Sequence, residues 1–132
     1  MTDGVIISIV DDDESVRKAI KRLLESFDLN AEDFASAEEY LISGRCEDSA
    51  CLILDVRLPG MSGLELQNQL AASNCRVPII FISGHDDGTV EAQALKAGAI
   101  DFLEKPFSEK ALFDVIKSLL VVHTSNDSDS SE

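Results

Sequence analysis

Residues 6–27, IISIVDDDESVRKAIKRLLESF, place an apolar run, an acidic run and a helical pattern in direct succession. The run IISIV is typical of a strand that is covered on both faces. Apolar residues such as Val16, Ile20, Leu23 and Phe27 then recur on one face of a helix. Four acidic side chains at the junction repel one another, so their position between a buried strand and a helix needs a functional explanation.

The same alternation continues along the whole chain and predicts its fold class. The predicted strands cover residues 5–10, 30–34, 51–54, 79–83 and 100–103. Helical patterns separate them, and helix starts are indicated at Asp13, at Ser36 with Glu39 in a capping box, near residues 62–63 and at Ser108. Gly98 is placed to end the fourth helix. Strict alternation predicts an α/β fold, with a doubly wound five-stranded parallel sheet and five helices on its two faces.

Length and composition indicate one folded domain. The chain has 132 residues, of which 45% are hydrophobic and 27% charged, as is ordinary for a globular protein. We predict an N-terminal tail over residues 1–4, the domain over residues 5–122, and a polar acidic tail or linker over residues 123–132. The last segment, HTSNDSDSSE, has too few apolar residues to bury a core.

The net charge of −14 restricts the partners of this chain. A surface this acidic is repelled by nucleic acids and by anionic membranes, so direct binding to either is not expected. No apolar run approaches the roughly 20 residues that a membrane helix needs, and the N-terminus lacks a signal pattern. We therefore expect a cytoplasmic protein. Its three cysteines, without metal-binding spacing, are expected to be reduced thiols, with Cys51 in the core of a strand.

The polar residues that could carry chemistry follow the predicted strands. Asp11 and Asp12 come after the first strand, Asp55 after the third, Ser83 ends the fourth and Lys105 follows the fifth. Because the carboxyl ends of parallel strands meet at one edge of the sheet, and ligands bind there in such folds, these side chains are expected to share one site.

Elementary chemistry suggests what such a site does. Carboxylates brought together in a crevice need a compensating cation, and oxygen ligands favour Mg²⁺. We assign Asp11 and Asp12 to the metal and Asp13 to capping of the helix. Asp55 could attack a phosphoryl group and form an aspartyl phosphate, while Lys105 and Ser83 compensate the charge on the phosphoryl oxygens.

These residues also carry a family resemblance. The segments VDD at 10–12, DVRLPGMSG at 55–63, SG at 83–84 and KPF at 105–107 resemble the receiver domains of two-component response regulators. The segments SGHDD and KAGAIDFLEKPF look closest to the FixJ-like branch of that family. The resemblance runs from about residue 5 to residue 122, which is nearly the whole chain.

The resemblance implies a flavodoxin-like fold with strand order 2-1-3-4-5 and a phosphoacceptor signalling domain rather than an enzyme. A sensor histidine kinase would transfer the phosphoryl group from its phosphohistidine to Asp55. Phosphorylation would then shift Ser83 together with Phe102 and change the surface of the fourth helix, fifth strand and fifth helix, through which such domains form homodimers or bind partners.

The resemblance also implies a role for each site residue. Asp12, Asp55 and the main-chain carbonyl of Arg57 would bind Mg²⁺, or Mn²⁺ in its place, and Asp11 would act through a metal-bound water. Ser83 and Lys105 would engage the phosphoryl group, and the Lys105–Pro106 peptide resembles the cis bond of the family. Side-chain roles for Arg57 and His85 are left open.

Two other functions are compatible with parts of the pattern. One is a receiver-fold interaction module that is never phosphorylated, although the complete set of site residues argues against it. The other is a metal-dependent phosphohydrolase of the haloacid-dehalogenase type, which fits the first strand end poorly.

Many receiver domains have Thr in place of Ser83 and Tyr in place of Phe102, so a switch that uses the tyrosine hydroxyl is not available here.

Overall fold

The computed structural model describes residues 6–84 and 88–119, in which strands and helices alternate as predicted. The strands are β1 (Ile6–Val10), β2 (Asn30–Phe34), β3 (Ser49–Asp55), β4 (Ile79–Ser83) and β5 (Asp101–Glu104). The helices are α1 (Glu14–Ser26), α2 (Ala37–Ser43), α3 (Gly63–Ala72), α4 (Thr89–Lys96) and α5, which covers residues 109–119 of the described part. The predicted tails and His85 lie outside the described residues.

The five strands form one parallel sheet in the order β2-β1-β3-β4-β5, which confirms the expected fold class and strand order. The register aligns Val10 with Leu54, Asp55 with Ile82, and Ser83 with Glu104. The carboxyl ends of the central strands therefore lie almost level with one another. Residues at these ends project over the same edge of the sheet.

The continuous apolar runs of the central strands are explained by two separate core layers. On one face Leu54 and Phe81 pack in a cluster that includes residues of α2, α3 and α4. On the other face Ile53 and Ile82 pack with residues of α1 and α5. Because both faces are buried, apolar residues occupy successive positions of these strands rather than every second one. Each fully buried Leu or Ile contributes about 1.5–3 kcal/mol to stability.

Strand β3 is longer than the sequence predicts at both ends. It begins at Ser49 rather than Cys51, because the buried Ser49 hydroxyl lies 2.6 Å from the Ser8 hydroxyl and 2.9 Å from that of Tyr40. A polar residue can enter a core when its hydrogen bonds are satisfied in this way. At the other end Asp55 is the last residue of the strand and not the first of the loop.

The predicted helix caps are present. The Asp13 carboxylate accepts hydrogen bonds from the main-chain N–H groups of Ser15 and Val16, which confirms its structural role. Ser36 accepts from the N–H of Glu39 at the start of α2, but the Glu39 carboxylate accepts from Ala35 rather than from Ser36, so the predicted reciprocal capping box is wrong. The other three signals also lie where expected, at Ser62, Gly98 and Ser108.

The prediction of three reduced thiols is wrong for two of the cysteines. Cys46 and Cys75 form a disulfide, with Cα atoms 6.3 Å apart, between the segments that precede β3 and β4. The pairing joins positions that are distant in sequence, so no local spacing indicated it. Cys51 lies in the core of β3 as predicted, and burial raises the pKa of its thiol to about 12. None of the described helices has the length and apolar character to cross a membrane.

Candidate functional site

The structure brings the predicted site residues together at the carboxyl edge of the sheet. Asp11 follows β1, Asp55 ends β3, and Lys105 follows β5. The Lys105 ammonium nitrogen lies 3.0 Å from Asp11 Oδ2 and 3.3 Å from Asp55 Oδ2, so it bridges the two carboxylates. Both carboxylates are almost completely buried.

Three carboxylates form the acidic part of this site. Oxygen atoms of Asp11, Asp12 and Asp55 all lie within 4.8 Å of one another, and Asp12 is exposed whereas the other two are buried. The cluster is therefore closed on the side of the sheet and open beside Asp12. Its donors are all hard carboxylate oxygens, which is the ligand chemistry of Mg²⁺.

Hydrogen bonds fix both the main chain and the side chain of Asp11. Its N–H donates to the carbonyl of Phe34 over 3.2 Å, and its carbonyl accepts from Arg17 Nη1 over 2.8 Å. Its Oδ1 accepts from the N–H of Asp13 over 2.8 Å, while Oδ2 accepts from Lys105. These bonds satisfy the polar groups of a side chain that has no exposure to solvent.

The Asp55 carboxyl group is the most perturbed acid of the site. Burial first, and then the charge of Asp11, raise the pKa of Asp55 to about 6. The main-chain N–H of Arg57, which donates to Asp55 Oδ1 over 3.1 Å, and the Lys105 ammonium offset part of that rise. Burial lowers the pKa of Lys105, but the hydrogen bonds and charges of Asp11 and Asp55 outweigh it, so the net pKa is raised. Lys105 is therefore charged at neutral pH.

The main chain after Asp55 is fixed by the start of α3. Ser62 caps this helix in a reciprocal capping box with Glu65. Gly63, its first residue, donates its N–H to the carbonyl of Val56, and a Cβ at Gly63 would lie 2.3 Å from the Asp55 carbonyl oxygen. The sequence motif contained Gly63, but this close approach to the Asp55 main chain is visible only in the structure.

The remaining predicted residues surround this centre. Ser83 is buried at the end of β4, and its carbonyl accepts from the N–H of Lys105 over 2.6 Å. The Lys105–Pro106 peptide is cis, as the resemblance implied. Phe102 is buried in β5 with its ring centroid 6.2 Å from that of Phe81. The side chain of Arg57 is exposed.

Replacing Lys105 with Met should raise the pKa of Asp55 further, because the lysine charge and hydrogen bond now lower it. The side-chain carboxyl resonance of Asp55, followed by NMR as the pH is changed, measures this pKa. Lys110→Met is the matched control, since Lys110 is exposed and pairs with Asp114. An unchanged or lower pKa of Asp55 in Lys105→Met would contradict the conclusion that a charged Lys105 ammonium stabilises the Asp55 carboxylate.

Comparisons with known proteins agree with this geometry. The family model described as the response regulator receiver domain matches residues 7–117. Nodulation protein W of Bradyrhizobium diazoefficiens is 46% identical over 111 residues, which are 84% of this chain and 49% of that protein. The transcriptional regulatory protein FixJ of Azorhizobium caulinodans is 38% identical over 120 residues, which are 91% of this chain and 57% of that protein.

A solved structure of FixJ-N superposes with a TM-score of 0.81 at 36% identity, covering 90% of this chain and 94% of that one. Its likeness confirms the flavodoxin-like arrangement of the sheet. The chain spans about half the length of the curated relatives it matches.

Proposed function

Because this chain belongs to the family of response regulator receiver domains, we propose that it is a phosphoacceptor whose nucleophile is Asp55. The observation that carries the proposal is the position of the Asp55 carboxylate. It is buried at the end of β3, 3.3 Å from the Lys105 ammonium and within reach of two further aspartates. A carboxylate in such surroundings can act as a nucleophile toward phosphorus.

The phosphoryl donor is the phosphohistidine of a sensor histidine kinase in the cytoplasm. An Asp55 carboxylate oxygen forms the new O–P bond as the N–P bond of the phosphohistidine breaks. The imidazole nitrogen leaves with the bonding electron pair and can take up a proton. With a pKa of about 6, Asp55 is mostly ionised at pH 7 and therefore available for attack.

The acidic cluster supports a site for Mg²⁺ or Mn²⁺. Asp12 and Asp55, with the main-chain carbonyl of Arg57, would hold the ion, and Asp11 would act through one of its waters. A bound divalent ion supplies positive charge toward the phosphoryl oxygens. The residues fit this group because the three carboxylates are hard oxygen donors, and the Lys105 ammonium bridges just two of them, Asp11 and Asp55.

The other site residues have roles toward the phosphoryl group and the response to it. Lys105 would pair with a phosphoryl oxygen, and the Ser83 hydroxyl would donate a hydrogen bond to another. Movement of Ser83 would be passed to Phe102 on the neighbouring strand. The surface formed by α4, β5 and α5 exposes Leu95 by 41% and Ile100, just before β5, by 47%. We infer that it forms a homodimer or binds a protein partner, whereas the charge of −14 opposes direct binding to nucleic acids.

Intact mass after incubation with a small phosphodonor tests this function. Acetyl phosphate supplies an acyl phosphate, and phosphoramidate supplies the P–N bond of a phosphohistidine. We expect the mass to increase by one phosphoryl group when Mg²⁺ is present. No increase is expected when EDTA is added before the phosphodonor. Absence of any gain with both donors in the presence of Mg²⁺ would contradict the proposal and favour an unphosphorylated interaction module.

A further inference from the structure

We propose that Arg17 is a positioning residue for the metal site and acts on Asp12 through the main chain of Asp11; this inference rests on the proposed function. Arg17 lies on α1, and its guanidinium has two acceptors. Nη1 donates to the Asp11 carbonyl over 2.8 Å, and Nε donates to Asp33 Oδ2 over 2.9 Å. The Arg17 side chain is only 15% exposed, so protein atoms surround most of it.

The carbonyl that Arg17 binds belongs to the peptide unit between Asp11 and Asp12. Because a peptide unit is planar, fixing its oxygen fixes the direction in which the chain enters Asp12. The N–H of Asp11 is already bound to Phe34 at the end of β2. The Asp12 carboxylate itself is exposed, so the main chain that carries it determines where it points.

Asp33 holds the Arg17 guanidinium in a fixed orientation. It lies on β2 opposite Ile9, and its Oδ2 accepts from Arg17 Nε over 2.9 Å. A guanidinium has donors in a fixed planar arrangement, so binding one acceptor orients the donor for the other. Arg17 thereby ties the loop after β1 to both α1 and β2.

A positioning role and a purely electrostatic role predict opposite signs for metal affinity. Arg17 carries a positive charge beside the main chain of Asp11, one of the three clustered aspartates, so its removal should strengthen Mg²⁺ binding if charge alone matters. If Arg17 positions Asp12, its removal should weaken binding although the charge has become more favourable. Residues that orient metal ligands typically contribute about tenfold or more to metal affinity.

The test is a calorimetric titration of the full chain with Mg²⁺ at fixed ionic strength, for wild type, Arg17→Met, Arg17→Lys and Lys21→Met. Arg17→Met keeps much of the apolar stem and removes the donors, while Arg17→Lys keeps the charge. Lys21→Met is the matched control, because Lys21 also approaches Asp33 but is 40% exposed and is not bound to the Asp11 carbonyl. Thermal unfolding in EDTA checks that each variant is folded.

We expect Arg17→Met to weaken Mg²⁺ binding about tenfold and Lys21→Met to leave it within about twofold. Arg17→Lys should also weaken it, because a single ammonium cannot reproduce the two fixed directions of the guanidinium. Should Arg17→Met fail to fold, Arg17→Lys decides the question alone.

Unchanged or tighter binding in Arg17→Met, or wild-type affinity in Arg17→Lys, would overturn the positioning role. A wild-type chain that binds no Mg²⁺ would instead overturn the metal site of the proposed function, and this inference would fall with it.

Discussion

Asp55→Asn should abolish phosphoryl incorporation and, in the absence of metal, should make the folded protein more stable at pH 7. The first effect follows because an amide oxygen is a poor nucleophile toward phosphorus and leaves no carboxylate to form the acyl phosphate. The second follows from the environment of Asp55. Burial and the charge of Asp11 raise the pKa of Asp55 from its ordinary value of 3.8 to about 6, so ionisation of Asp55 opposes folding.

The pH dependence of this effect has a definite sign. Since the folded-state pKa lies above the unfolded one, the contribution of Asp55 to stability is fully present below about pH 4 and is lost as the pH rises through 6. Asparagine does not titrate in this range. The variant should therefore gain about 1–2 kcal/mol over wild type at pH 7, after screening by solvent is allowed for, and nothing below about pH 4.

Chemical denaturation in EDTA at pH 4 and pH 7, together with intact mass after acetyl phosphate treatment, measures both effects. Asp28→Asn is the matched control, because it removes the same charge from an exposed position in the turn after α1. Mg²⁺ should stabilise the wild type by mass action and reduce or reverse the difference. Phosphoryl gain that persists in Asp55→Asn would assign the acceptor to another residue, and lower stability of the variant at pH 7 would contradict the charge argument.

The grouping of polar side chains at the strand ends could be predicted from the sequence, because it depends only on the parallel arrangement of the strands. In a parallel sheet the residues after each strand must share one edge, whatever the packing of the helices. This was sufficient to group Asp11, Asp55, Ser83 and Lys105. The strand order, in contrast, came from the family resemblance, because strand–helix alternation gives the class of fold without the order of its strands.

The features that sequence reasoning missed depend on contacts between segments that are distant along the chain. Arg17 on α1 reaches Asp33 on β2, and the two residues are 16 positions apart in the sequence. The pairing of Cys46 with Cys75 likewise depends on how the segments before β3 and β4 lie side by side. The sequence predicts that β3 begins at Cys51, and only the hydroxyl groups around Ser49 show why this polar residue is buried in the strand.

Gly63→Ala should destabilise the protein by about 3 kcal/mol, the upper part of the range for overpacking a close contact. By helix propensity alone, alanine would be favoured over glycine in α3 by up to about 1 kcal/mol. The structure reverses the sign, because the new Cβ would lie 2.3 Å from the Asp55 carbonyl oxygen and 3.0 Å from Val56 Cα. Both are main-chain atoms, one of the last residue of β3 and one of the residue after it, so no side-chain rotation can relieve the contact.

Two other glycines separate this effect from a general cost of replacing glycine. At Gly84 no heavy atom of the described residues outside its own chain neighbours lies within 4 Å of the added Cβ, so Gly84→Ala should change stability little. At Gly60 the nearest atom, 2.7 Å away, is Glu38 Oε2, the far end of a flexible side chain, but the positive φ of 75° disfavours alanine. Gly60→Ala should therefore cost about 1 kcal/mol, less than Gly63→Ala.

The consequence of Gly63→Ala for function follows from where the strain must be released. Since α3 is fixed by its capping box, the shift falls on the peptide units that the new Cβ would contact, those of Asp55 at the end of β3 and of Val56. A displacement of the nucleophile by a fraction of an ångström should slow phosphorylation by acetyl phosphate at least about tenfold in molecules that remain folded. Denaturant unfolding and the initial rate of phosphoryl gain measure the two effects. If Gly63→Ala had wild-type stability and rate, the close packing of α3 on Asp55 would not be what positions the phosphoacceptor.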